Sequence, residues 1–123
     1  MANIVYVHAY VKDRQIVRDL SRFYFQVRDA GIGGLENVRP VLGKRGLDGL
    51  LDGQPVGFQD AINQYPFEGV GIWTEWSDGN HIDEFYRSQL HNDFSKYTRD
   101  KLDRAWFRII QFRDGEVTTR EVR

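Results

Sequence analysis

His8 and Glu75 are the one pair in this chain that could do acid-base work, because a carboxylate beside an imidazole raises its pKa and orients the ring. The pairing requires their two strands to be neighbours in a suitable register, and a lone strand histidine is more often a hydrogen-bonded or interface residue. His81 and His91 flank a helical stretch and lie nearly three turns apart, too far to share one ion, and only Glu84 and His91, at i and i+7, share a face. Two ligands do not make a zinc site, so no metal and no cofactor is expected, and Glu84 and His91 read as solvated helix residues. The chain has no cysteine, which excludes disulfides, thiolate metal sites and a cysteine nucleophile.

Rings and cations form the second constellation. From Ile4 to Val11, alternation places Val5, Val7, Ala9 and Val11 on one side of a strand, and Ile4, Tyr6, His8 and Tyr10 on the other. The aliphatic side needs a core. In the second clear strand, Gly69 to Trp76, the set Val70, Ile72, Thr74 and Trp76 joins that core and leaves Trp73 and Glu75 beside the tyrosines. Near the C-terminus Trp106, Arg108, Ile110 and Phe112 oppose Phe107 and Ile109, so Trp106 and Arg108 extend the aromatic face. Gly43-Lys44-Arg45-Gly46 resembles a generic anion-binding turn but lacks the earlier glycine and the following Ser or Thr of a P-loop, so Lys44 and Arg45 read as a partner-contacting tip.

The elements that must position these residues follow from periodicity. Ile16, Val17, Leu20, Phe23, Tyr24 and Val27 trace one stripe of a helix that Asp13 can cap and Gly31 can end. Residues 31–57 hold eight of the twelve glycines and repeat Leu-Asp-Gly, which argues for a long ordered Gly-rich loop with a short strand at Asn37 to Leu42. A short helix from about Phe58 to Tyr65 is halted by Pro66. Ile82, Phe85, Tyr86, Leu90, Phe94 and Tyr97 trace a second amphipathic helix, and Arg104 to Arg113 and Glu116 to Val122 form a hairpin around Asp114-Gly115. The fold class is α+β: a mainly antiparallel sheet, two amphipathic helices on one face, a C-terminal β-hairpin and the Gly-rich loop.

At 123 residues the chain is one domain, 1–123, with a core large enough to need no staple. It shows no signal pattern and no apolar run of membrane-spanning length, so a soluble, cytoplasmic protein without membrane contact is expected. The formal charge of -1 supplies no global field to gather nucleic acid. An uncovered face carrying Tyr6, His8, Tyr10 and Trp73 is too apolar for a monomer's solvated surface and demands cover. The first reading is therefore a non-catalytic binding protein, a small inhibitor, adaptor or assembly factor, covered by a second copy of itself or another protein. The alternative is a small enzyme or small-molecule binder whose pocket lies between sheet and loop, with His8 as base and Glu75 orienting it. Single-stranded nucleic-acid binding by stacking ranks third, for want of a basic groove. A competing possibility is that residues 31–57 fold back over the aromatic face.

Overall fold

The structure is a computed structural model, and it describes residues 3–10, 14–31, 34–64, 68–101 and 107–122. In chain order the elements are β1 (Asn3–Ala9), α1 (Arg14–Asp29), β2 (Leu35–Val41), α2 (Lys44–Leu51), α3 (Val56–Asn63), β3 (Val70–Trp76), α4 (Gly79–Tyr86), α5 (Gln89–Lys101), β4 (Phe107–Arg113) and β5 (Glu116–Val122). The α+β class, the antiparallel sheet and the C-terminal hairpin agree with the sequence reading.

All neighbours in the five-stranded sheet, ordered β2-β3-β1-β4-β5, are antiparallel. Two crossovers interleave within it: β1 reaches β2 through α1 with β3 between them, and β3 reaches β4 through α4 and α5 with β1 between them. This is the split β-α-β arrangement with β5 added at one edge. Crossovers of one hand that run in opposite lateral directions, from antiparallel strands, place their helices on the same face. The β2–β3 connection joins adjacent antiparallel strands, so its helices are free to lie elsewhere.

Buried residues sort into two clusters, one on each face. Val5, Val7, Ala9, Val70, Ile72, Trp76 and Ile109 pack with Leu20, Phe23, Tyr24 and Val27 of α1 and Ile82 and Phe85 of α4. Leu20, Phe23, Tyr24 and Val27 recur at helical spacing, while Arg18, Arg22 and Gln26 face solvent. Across the sheet, Ile4, Tyr6, Trp73, Ile110 and Phe112 pack with Leu47 and Leu51 of α2 and Phe58 and Ile62 of α3. Strand β1 is therefore buried along its whole length.

That second layer corrects the expectation of an open aromatic face. Residues 31–57, read as an irregular loop, hold β2, α2 and the start of α3 among their described residues. Leu47, Leu50 and Leu51 recur at i, i+3 and i+4, and the burial of this stripe outweighs the roughly 1 kcal/mol that an interior glycine costs a helix. Helices thus cover both faces, not one. The second amphipathic stripe also divides: α4 ends near Arg87, and Ser88 starts α5 by accepting from the His91 N–H at 3.2 Å.

Local chemistry fixes the remaining pieces. Pro40 is tolerated because β2 is an edge strand. Asp114 and Gly115 both take positive φ, 51° and 87°, as a two-residue hairpin turn requires between the paired Arg113 and Glu116. Arg113 clamps Asp83 of α4 with two parallel bonds of 2.6 Å, which ties the hairpin to the helical layer. No helix among the described residues is long and apolar enough to cross a membrane.

Candidate cleft between the sheet and the second helical layer

Strand alternation sends Tyr6, His8 and Tyr10 towards α2 and α3, and Arg108 and Ile110 join them because β4 pairs with β1 as His8↔Arg108 and Tyr6↔Ile110. The helices do not close the end of this surface. A cleft of about 380 Å³ remains, lined by Tyr6, His8, Tyr10, Arg108 and Ile110 from the sheet side and by Lys44, Leu47, Ile62, Asn63 and Gln64 from the helical side.

The cover is held by a spaced pair from each helix. Leu47 and Leu51 are four residues apart, as are Phe58 and Ile62, so each pair presents one buried edge. Phe58 is fully buried, with its ring 5.6 Å from Trp73 and 5.4 Å from Phe112. Trp73 is thereby a base plate under α3, and it is not among the cleft-lining residues.

A short hydrogen-bonded chain runs along one wall. The Tyr6 hydroxyl lies 2.8 Å from His8 Nδ1, and His8 Nε2 lies 2.5 Å from the Glu68 carbonyl oxygen. A carbonyl only accepts, so Nε2 carries the proton; the neutral ring then accepts at Nδ1 and Tyr6 donates. Burial holds the His8 imidazole below its ordinary pKa; the Glu68 hydrogen bond opposes this, and the nearby Arg108 charge adds to the depression. Burial, with Tyr10 alongside, pushes the Tyr6 phenol far above its usual range. Both groups are uncharged at neutral pH.

Tyr6 reaches His8 because of one glycine. A Cβ at Gly71 would stand 2.4 Å from the Tyr6 hydroxyl oxygen and 2.6 Å and 2.7 Å from two ring carbons. Only a bare backbone lets the phenol lie across β3. On the far side of His8, the Tyr10 ring meets the imidazole edge-on at 4.4 Å, and the Arg108 guanidinium carbon sits 5.7 Å from the Tyr10 centroid. Arg108 is 3% exposed and is ion-paired with Glu121, its cross-strand neighbour on β5. Lys44, at the start of α2, is exposed and pairs with Asp48 one turn on at 3.2 Å.

Of the residues singled out from sequence, the fold gathers Tyr6, His8, Tyr10, Lys44 and Arg108 around one cleft. Arg45 is exposed on α2 away from the lining, and Trp106 lies outside the described residues. The His8–Glu75 pairing is corrected. His8 pairs with Gly71 and Glu75 with Ile4, so the two stand four residues apart along the strands, about 13 Å at the usual rise. Glu75 instead accepts from Trp73 Nε1 at 3.2 Å. Asn63 and Gln64 join the lining without a motif to mark them; their only sequence signal is their position just before Pro66, at the end of a short helix.

Two other histidines complete the inventory. Ser77 Oγ and Asp78 Oδ2 both approach His81 Nδ1, at 2.8 Å and 3.3 Å. A serine–histidine–aspartate relay needs serine and carboxylate on opposite ring nitrogens, so this cluster is an N-cap of α4, where Asp78 also accepts from the His81 N–H. His91, expected in solvent, is instead half-buried edge-on to Tyr86 at 4.5 Å and Phe85 at 5.3 Å. Among the described residues no group of three His, Cys, Asp or Glu side chains could hold a metal ion. No family model, curated protein or solved structure matches this chain.

Proposed function

We propose that this protein binds a small molecule non-catalytically in the cleft between its sheet and the α2–α3 layer. The observation that carries the reading is the cleft itself: about 380 Å³, with an apolar floor of Tyr6, Leu47, Ile62 and Ile110 and polar groups converging from Tyr10, Lys44, Asn63, Gln64 and Arg108. That volume lies at the small end of ligand pockets and suits a compound of one or two rings. Catalysis is not favoured, because the group hydrogen-bonded to His8 Nδ1 is the buried Tyr6 phenol, whose proton burial holds far more tightly than usual. Self-association or partner binding through the aromatic face loses its premise, since Tyr6 and Trp73 are each 1% exposed beneath the chain's own helices. Stacking of nucleic-acid bases on an open sheet loses it for the same reason.

The test is a titration of isotope-labelled protein with single-ring compounds at millimolar concentration, followed by amide chemical shifts. Shifts should cluster on β1, β4, α2 and α3 around the cleft. Gln64→Trp, which places an indole at the exposed rim, should abolish them without lowering stability. Shifts that map elsewhere, or that persist unchanged in Gln64→Trp, would end the reading.

A further inference from the structure

We infer that the ligand of this cleft is a ring-bearing oxyanion, a carboxylate or phosphate monoester, whose charged group sits between Lys44 and Arg108; this rests on the small-molecule reading above. Among the described residues the lining carries two cationic side chains, Lys44 and Arg108, and no carboxylate. Their acidic partners, Asp48 and Glu121, lie outside the lining. The rest of the wall is polar but uncharged: the Asn63 and Gln64 amides, the Tyr10 phenol and the His8 ring.

Each cation has an intrachain ion pair, Lys44 with Asp48 and Arg108 with Glu121, yet each also stands at a place that is unfavourable for positive charge. Lys44 occupies the first turn of α2, which has no acidic residue there and no side-chain cap from Gly43, so its charge opposes the helix macrodipole. Arg108 is an arginine buried on a sheet face that it shares with His8 and with the apolar Ile4, Tyr6, Trp73, Ile110 and Phe112, and burying a guanidinium is costly even when it is paired. Its planar fork suits the two coplanar oxygens of a carboxylate or the face of a phosphate, whereas the lysine acts as a mobile point charge. The apolar floor and the Tyr10 edge would take the ring.

The experiment compares phenyl phosphate and benzoate with phenol and benzyl alcohol, neutral probes of similar ring, by the same chemical-shift titration at low and moderate salt. At least one anion should bind tenfold or more tightly than both neutral probes and weaken as salt rises. Lys44→Gln, at an exposed position that should leave folding intact, should remove most of that preference, bringing the anion's affinity towards that of the neutral probes in the same variant; Arg108→Lys, with its melting transition recorded alongside, should weaken the anion less than Lys44→Glu. Whichever of benzoate and phenyl phosphate wins names the oxyanion. If the neutral probes bind the cleft as tightly as the anions and Lys44→Gln changes neither, the oxyanion assignment is overturned and the small-molecule reading survives. If no probe perturbs the cleft, both fall.

Discussion

Gly71→Ala is the sharpest perturbation of the cleft wall. The new methyl would lie 2.4 Å from the Tyr6 hydroxyl oxygen and under 3 Å from two atoms of its ring, a distance at which one side must move. Tyr6 cannot simply rotate away, because it is 1% exposed, with Trp73 at 6.3 Å and His8 at 5.8 Å between ring centres. Its ring must lift off β3, and a shift of about 1 Å breaks the 2.8 Å bond to His8 Nδ1. Overpacking a filled core costs ~1–3 kcal/mol, and leaving a buried hydroxyl and ring nitrogen unpaired adds ~1–3 kcal/mol. A total of ~2–6 kcal/mol corresponds to a urea midpoint lower by ~1–3 M for an m-value of roughly 2 kcal/mol per M. Histidine nitrogen NMR reads the second half of the prediction: His8 should appear as the neutral Nε2–H form with an engaged Nδ1 in the parent chain, and that engagement should vanish in the variant. Tyr6→Leu should couple with Gly71→Ala, the double variant losing less than the two singles together. A Gly71→Ala chain within 0.5 kcal/mol of the parent with an unchanged His8 signal would refute the packing argument.

Phe58→Ala removes the fully buried ring that seats α3 on Trp73 and Phe112, and should cost ~3–5 kcal/mol in chemical denaturation; a loss below ~1 kcal/mol would show that α3 is not anchored there. Gly46→Ala and Gly49→Ala run the other way. Neither glycine has a positive φ and an added Cβ meets no atom within 4 Å at either, so each alanine should stabilise by ~0.5–1 kcal/mol, and a destabilised variant would contradict the placement of α2. His91 supplies a pH test. Burial first, and the Arg120 charge second, push its pKa from 6.5 to about 4, so the unfolded chain takes up the proton before the folded one. Stability is complete above pH 6.5 and declines as the pH falls towards 4, by on the order of 1–2 kcal/mol after allowing for the ring's partial solvent access. His8 contributes with the same sign. Denaturation curves at pH 7 and pH 4.5 should show a smaller difference in His91→Leu than in the parent, and an equal difference would rule out His91 as a source of the slope.

The strands, α1 and the hairpin turn were legible because each carries its own local signature: alternation in β1 and β3, a 3.6-residue stripe through Leu20, Phe23, Tyr24 and Val27, and Asp114-Gly115 between extended runs. Alternation, with the aliphatic set of each strand assigned to the core, also placed Tyr6, His8, Trp73 and Arg108 on one side of the sheet. Hidden from local reasoning was whatever depends on a partner distant in sequence. Glycine density masked the Leu47–Leu51 stripe, whose helix is worth forming only over a sheet face that needs cover. Register, which set His8 opposite Gly71 and about 13 Å from Glu75, is a property of two strands more than sixty residues apart. So the sequence by itself determined which side chains share a face. Tertiary structure decided that the chain covers that face itself and leaves a cleft at its end, because burial and pairing energies between remote segments are not written in either segment alone.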